Sequence, residues 1–485
     1  MAKHRAPSKK TGIPKARTGI DGLDQITQGG LPRGRPTLIC GRAGCGKTLM
    51  AMEFLVRGAA EFNEPGVFFA FEETAPELIE NVRSLGFDLD KLVARKKIAI
   101  DHVRIERSEI EETGEYDLEG LFVRLEHAIK SVGAKRVVLD TLEALFAGLP
   151  NEAILRAELR RLFRWLKDHK LTAIITGERG ERLLTRHGIE EYVSDCVIML
   201  DHRVSEEITT RRLQIVKYRG SAHGTNEYPF LITPHGISVL PITSLGLDYS
   251  VTSERISTGV ASLDEMLGGK GLFRGSSVLV SGAPGTGKSS LGAHLLSAAC
   301  ERGERSLLFA YEESPAQIIR NMRSIGLNLA ACQRSGLLHI HASRPTLCGL
   351  EQHLVHMFEL IREVNPDVVV VDPISNLSLT DHVSEVKPTL MRLIDMLKAR
   401  GTTALFTSLT HLDRDNVSEV GVSSLMDAWL LLRNHETNNG ARHRALYVLK
   451  SRGMAHSNEV REFLISNRGV RLNEPAKALP TAQAT

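Results

Sequence analysis

The chain is written twice. TGIDGLDQITQGGLPRGRPTLICGRAGCGKT (18–48) returns as TGVASLDEMLGGKGLFRGSSVLVSGAPGTGKS (258–289). FFAFEETAPELIENVRSLGFDL (68–89) returns as LFAYEESPAQIIRNMRSIGLNL (308–329), and KYRGSAHGTNEYPFLIT (217–233) as KSRGMAHSNEVREFLIS (450–466). A period of about 240 residues is far longer than a solenoid unit, so each copy must close its own hydrophobic core. A chain of 485 residues is long enough for two. The polar, aperiodic stretch LPITSLGLDYSVTSER (240–255) is the natural linker. It divides the chain into a basic tail (1–17), a first domain (18–246), a second domain (247–472) and a short tail (473–485).

Within each copy, short apolar runs alternate with amphipathic helical patterns. TLIC, GVFFAF, RVVLD and TAIIT in the first copy correspond to SVLVS, SLLFAY, VVVVD and TALFT in the second. Continuous β-branched runs separated by helices predict a mostly parallel sheet with helices on both faces, an α/β fold.

The rest of the composition excludes more than it asserts. A net charge of +3 is small and argues neither for nor against an anionic partner, and no apolar run approaches the roughly 20 residues of a membrane span. Six cysteines (Cys40, Cys45, Cys196, Cys300, Cys332, Cys348) form no CxxC pair and no metal-ligand spacing, which fits reduced, cytoplasmic thiols. The basic opening MAKHRAPSKKTGIPKAR is read as a solvated tail.

Chemistry enters with GRAGCGKT (41–48) and GAPGTGKS (282–289), each leaving a strand and opening a helix. Their glycines let backbone N–H groups turn around phosphate oxygens at a helix N-terminus. Lys47 and Lys288 are placed to neutralise β/γ-phosphate charge, and Thr48 and Ser289 to hold Mg²⁺. Asp140 and Asp372, ending RVVLD and VVVVD, stand where a magnesium-side carboxylate belongs. The pairs Glu72–Glu73 and Glu312–Glu313 follow 24 or 25 residues after the P-loop lysine, each at the end of an apolar strand. A carboxylate there can orient and deprotonate an attacking oxygen. KYR (217–219) and KSR (450–452) set two cations at i and i+2, on one side of a strand, as for a finger reaching a neighbour's γ-phosphate.

These motifs, with the NVRSLG/NMRSIG helices and the EEYVSD segment, resemble the KaiC family of circadian-clock ATPases and autokinases, from about Thr18 to about Leu472. The resemblance implies two tandem RecA-like P-loop NTPase domains, assembled as a double-ringed homohexamer with ATP and Mg²⁺ between subunits. It implies slow ATP hydrolysis by the first domain and self-phosphorylation across the subunit boundary by the second. Carried over residue by residue, the first site takes Gly44, Cys45, Gly46, Lys47, Thr48, Leu49 and Ser84. Its neighbour supplies Lys217, Tyr218, Arg219, Ser221 and His223. The second takes Gly285, Thr286, Gly287, Lys288, Ser289 and Ser290, with Arg444, Lys450, Ser451 and Arg452 from the neighbour. Glu312 is then the kinase base and a magnesium-side residue.

Ser423 and Ser424 fall on the family's two phosphorylation positions, and Glu191 and Tyr192 fill them in the first domain. Ser424 replaces the family's usual threonine, and Ile325 stands where cyanobacterial members carry an adenine-stacking tryptophan. A KaiB-like protein is expected on 102–121 of the first domain. The ending RLNEPAKALPTAQAT lacks the long C-terminal peptide through which KaiA acts, so KaiA is not expected as a partner. Two other readings share the fold: a DNA-dependent RecA- or RadA-like motor, and a scaffold that assembles on ATP. The motor needs a cluster of Lys and Arg lining a channel, and no such cluster stands out; nucleic acid is therefore not expected. The scaffold does not need the glutamate pairs.

Overall fold

The computed structural model describes residues 12–103, 119–146, 152–180, 194–205, 208–241, 251–347, 349–379, 383–410, 423–436 and 442–473. The chain divides into two compact units, Met1–Ser244 and Leu245–Thr485.

In the first unit the strands are β1 (Pro36–Gly41), β2 (Gly66–Ala70), β3 (Ile98–His102), β4 (Arg136–Asp140), β5 (Thr172–Glu178), β6 (Cys196–Ser205), β7 (Ile208–Tyr218), β8 (Glu227–Thr233) and β9 (Gly236–Val239). They form one sheet in the order β9-β8-β7-β6-β1-β5-β4-β2-β3. From β3 to β6 every pairing is parallel, and β7, β8 and β9 add antiparallel. The second unit repeats this with β10 (Ser277–Gly282), β11 (Ser306–Ala310), β12 (Leu338–Ala342), β13 (Val368–Asp372), β14 (Thr403–Leu409), β15 (Ala428–Glu436), β16 (Arg442–Ser451), β17 (Arg461–Ser466) and β18 (Gly469–Asn473). Its order is β12-β11-β13-β14-β10-β15-β16-β17-β18. These are the two tandem α/β domains that the repeat predicts.

Burial explains the apolar runs. Val137, Val138 and Leu139 of β4, and Val368, Val369 and Val371 of β13, are fully buried, as central parallel strands covered on both faces must be. In the first unit one core lies under helix Lys47–Glu61, through Met50, Phe54 and Leu55. The other lies under helices Glu119–Val132 and Glu152–Asp168, through Leu125, Leu159 and Phe163. After each glutamate pair a helix starts on a reciprocal cap with proline in its first turn: Thr74 with Glu77, and Ser314 with Gln317. That cap halts the strand at the paired carboxylates and fixes where they stand.

One buried group departs from the apolar rule. Arg136, fully buried, sits 2.6 Å from Glu64 and donates to the carbonyls of Phe54 (2.8 Å) and Arg17 (2.7 Å). Its guanidinium also lies 4.3 Å from the centre of the Phe54 ring. The second unit has Val368 at this position, so the ion pair is a local substitute for packing, made tolerable by full hydrogen bonding.

Candidate active site

Each P-loop links a central strand to a buried helix. Gly44 and Gly46 (φ 75° and 100°), like Gly285 and Gly287 (φ 76° and 104°), adopt the left-handed conformation that turns successive amides inward. Lys47 donates to the carbonyls of Gly41 (2.8 Å) and Arg42 (3.1 Å); Lys288 donates to those of Gly282 (2.8 Å) and Ala283 (2.9 Å). Both ammonium groups are thereby folded over the loop that would hold phosphate. Cys45 and Thr286 point inward, fully buried, and Ser290 is nearly so. The Thr286 hydroxyl donates to the Ala283 carbonyl within the loop at 2.9 Å. Leu49 packs on the first core. Ser84 is exposed beyond the helix that follows the glutamates, bonded to the Asn81 carbonyl at 3.5 Å.

Asp140 gathers the first site. Its Oδ2 accepts from Thr48 at 2.8 Å, and its Oδ1 accepts from Thr176 of β5. Thr407 does the same for Asp372, and Ser289 also hydrogen-bonds to that carboxylate. Burial raises both aspartates above the usual carboxylate range, despite these donors. A carboxylate and a hydroxyl meeting beside a phosphate loop are hard oxygen donors, the chemistry a Mg²⁺ ion requires. When bound, that ion supplies charge neutralisation to the phosphate oxygens.

The two glutamates of each pair part company. Glu72 accepts from Thr141, one residue past Asp140, at 3.0 Å, and Glu312 accepts from Asn376, four past Asp372, at 3.0 Å. Both therefore face the magnesium-side carboxylate. Glu73 and Glu313 turn to the next helix instead, bonded to Asn81 and Asn321. Glu73 Oε2 is buried with no hydrogen-bond partner among the described residues. Its carboxyl is raised by burial, then by the charge of Asp140.

A raised carboxylate holds its proton in the folded state after the unfolded chain has released it, so ionisation costs stability as pH rises from about 4.5, the ordinary glutamate value. Without nucleotide or magnesium, Glu73→Gln should match the parent's unfolding temperature in acid and exceed it increasingly toward neutrality. A gap independent of pH would contradict this placement of Glu73.

The late cations stand elsewhere. Val278 of β10 pairs with Ala428, which pairs with Ser451, whereas Gly282, where the P-loop begins, lies level with Leu432. Four residues of strand put at least about 13 Å between them. Lys450, Ser451 and Arg452 thus occupy the end of the sheet opposite their own P-loop. There Lys450 donates to the carbonyls of Ser423 (3.1 Å) and Ser424 (3.4 Å), and Arg452 to that of Ser424 (2.8 Å). Lys450 is held below the usual ammonium range by partial burial and by Arg452 beside it. Asp427 fixes this edge through Ser277 and Lys398, at 2.9 Å for the lysine. Lys217 and Arg219 occupy the same place in the first unit, since Lys217 pairs with Val197 and the Arg219 amide donates to Asp195. Ser221 and His223 follow on the next turn, with the His223 ring stacked against Tyr218.

Arg444 and Tyr218 are held differently from the late cations. Arg444 does not stand with Lys450: six residues earlier on β16, it lies beyond the P-loop end of the sheet, and its Nε donates to the Gly285 carbonyl of its own loop at 3.3 Å. Tyr218 cannot offer its side chain to a nucleotide, because the ring is buried and its hydroxyl donates to the Gly30 carbonyl at 2.8 Å. Glu191, Tyr192 and most of 102–121 lie outside the described residues. Sequence reasoning missed Thr176 and Thr407, though they close the matched runs TAIIT and TALFT. It also missed Thr141 and Asn376, which differ in type and offset between copies and leave no repeat signal.

Comparison with known proteins agrees with this double site. A family model described as "ATPase: KaiC" matches residues 16–244 and again 256–477. The chain is 59% identical over 470 residues to "Circadian clock protein KaiC2" of Synechocystis sp., covering 96% of this chain and 83% of that one. It is 38% identical over 466 residues to "Circadian clock oscillator protein KaiC" of Synechococcus elongatus, covering 95% and 89%. "Circadian clock oscillator protein KaiC 1" of Synechocystis sp. matches at 37% over 471 residues, covering 96% and 90%. With both P-loops, both glutamate pairs and both matched halves in place, the chain belongs to the KaiC family of ATPases.

Proposed function

We propose that the second domain transfers the γ-phosphoryl group of ATP to Ser423 and Ser424 of a neighbouring copy, while the first hydrolyses ATP. The state of the serines would then act as a timer or signalling switch. The observation that carries this reading is the position of the serines. They are tied by Lys450 and Arg452 to the edge opposite their own P-loop, so a γ-phosphate within reach must come from another subunit. Two cations held close together, one of them already disfavoured by the other, are a ready partner for that phosphate.

In this reading Gly285, Thr286 and Gly287 cradle the phosphates through their amides, and Lys288 leaves its two carbonyls for phosphate oxygens. Ser289 and Asp372 hold the magnesium side. Glu312, steered by Asn376, takes the proton of the attacking serine hydroxyl as oxygen bonds to phosphorus and ADP leaves. Glu72 orients water in the first domain, with Lys217 and Arg219 supplied by the next subunit. The domains are 18–246 and 247–472, the assembly is a double-ringed homohexamer, and the location is cytoplasmic. Among the described residues no helix is long and apolar enough to cross a membrane. A KaiB-like protein would dock on 102–121.

If each nucleotide bridges two subunits, it binds only the assembled state tightly and drives assembly by mass action. Light scattering should report hexamers with ATP and Mg²⁺ and smaller species without nucleotide. A mass unchanged by ATP would contradict the bridging site.

A further inference from the structure

The second unit holds a pair of cysteines that the phosphoryl-transfer site does not use. Cys300 lies in the last turn of the P-loop helix Lys288–Glu301, and Cys332 in the short helix Leu329–Arg334 packed against it. Cys332 is buried, Cys300 is partly exposed, and both pack into the same apolar cluster. The other described cysteines are dispersed through the first unit and buried: Cys40 donates to the Ile198 carbonyl, and Cys45 sits under its own P-loop.

The repeat supplies a control for this contact. The positions matched to Cys300 and Cys332 in the first unit are Ala59 and Leu92, on the same two helices. An alanine and a leucine close the same joint, so the fold does not require sulfur there. The thiols are an addition to the second unit alone.

We propose that Cys300 and Cys332 form an oxidisable dithiol that closes to a disulfide, joining the P-loop helix to the helix after the Ile325 turn. The co-reactant is a small disulfide such as oxidised glutathione. Cys300, the more exposed thiol, loses its proton and attacks one sulfur of glutathione disulfide, releasing one glutathione thiolate. Cys332 then loses its proton and attacks the Cys300 sulfur of the mixed disulfide, releasing the second. Two protein thiols are oxidised and one small disulfide is reduced. Burial, with Cys300 alongside, pushes the Cys332 thiol up to about 12, so Cys332 acts on the mixed disulfide held against it and not on reagent in solution.

The test uses the full-length protein with ATP and Mg²⁺, incubated with glutathione disulfide, blocked with an alkylating reagent and digested with trypsin without reduction. Each cysteine falls on its own peptide, SSLGAHLLSAACER (289–302) and SIGLNLAACQR (324–334). The expected product is the two joined, at their summed mass less two hydrogens, and reversed by a reducing agent. Thermal unfolding of the oxidised protein should show the second unit melting later than in the reduced protein. Cys300→Ser should lose the joined peptide while Cys332 stays unmodified. Cys332→Ser should instead accumulate Cys300 as its stable glutathione adduct. A parent protein that stops at that adduct, or that pairs either cysteine with a different partner, overturns the proposal.

Discussion

Replacing Ser423 and Ser424 together with alanine should abolish incorporation of the γ-phosphate of ATP into the protein while hydrolysis continues. A serine hydroxyl is almost wholly protonated at neutral pH, so transfer needs a positioned base as well as an in-line phosphate. The serines lie in a turn that makes few demands on side-chain type. Lys450 and Arg452 hold their carbonyl oxygens, not their hydroxyls. Alanine should therefore leave the edge folded and remove only the acceptor. Glu312→Gln attacks the same reaction from the other side. It keeps a carbonyl that can accept from Asn376, but it cannot take a proton, and loss of a general base costs on the order of 10²–10⁴ in rate. Phosphopeptide mass spectrometry should find no phosphate on residues 423 and 424 in either variant. Undiminished labelling of the double-alanine protein would mean that the phosphate goes elsewhere and that the serines are only turn residues.

Glu72→Gln with Glu73→Gln should remove most of the ATP hydrolysis due to the first domain, by a similar factor, without preventing ATP-dependent assembly. The phosphate cradle, Lys47 and the Thr48–Asp140 pair are untouched, so nucleotide still has its site. The two singles should differ. Glu72 faces Thr141 and the Asp140 side, whereas Glu73 is anchored to the following helix. Glu72→Gln alone should account for most of the loss, and Glu73→Gln should act mainly on stability. The measurement is phosphate release in a Ser423→Ala/Ser424→Ala/Glu312→Gln background, where the second domain is silent. Hydrolysis unchanged in that background would remove the carboxylate pair from the mechanism.

How much of this was legible in the sequence depended on what the repeat could reveal. The duplicated P-loops, the strand runs and the glutamate pairs recur at matched positions, and backbone chemistry explains each. The layered sheets and the loop glycines followed from them. Pairing in space did not follow. That β15 lies beside β10 and pairs antiparallel with β16, which brings Lys450 and Arg452 to the far end from Gly282, is a matter of topology, and no local pattern encodes it. The same holds for Arg444 and Lys450: both are cations on one strand, but six residues of that strand separate them by most of the sheet's height. Tyr218 sits between Lys217 and Arg219, and alternation sends the side chain of this middle residue into the core. The Arg136–Glu64 pair reads as RVVLD, an ordinary strand start, and only the buried carbonyls of Phe54 and Arg17 show why an arginine is tolerated there.

The central claim is that phosphate crosses between copies, and mixing two defective proteins tests it most directly. One carries Ser423→Ala and Ser424→Ala with Glu312 intact; the other carries Glu312→Gln with both serines intact. Neither alone should take up phosphate at positions 423 and 424. Mixed without nucleotide and then given ATP and Mg²⁺, they should phosphorylate Ser423 and Ser424 of the Glu312→Gln chains. The intact base would come from the alanine chains next to them. Mixed assemblies with no phosphate on those serines, or labelling of the Glu312→Gln protein by itself, would contradict transfer between subunits.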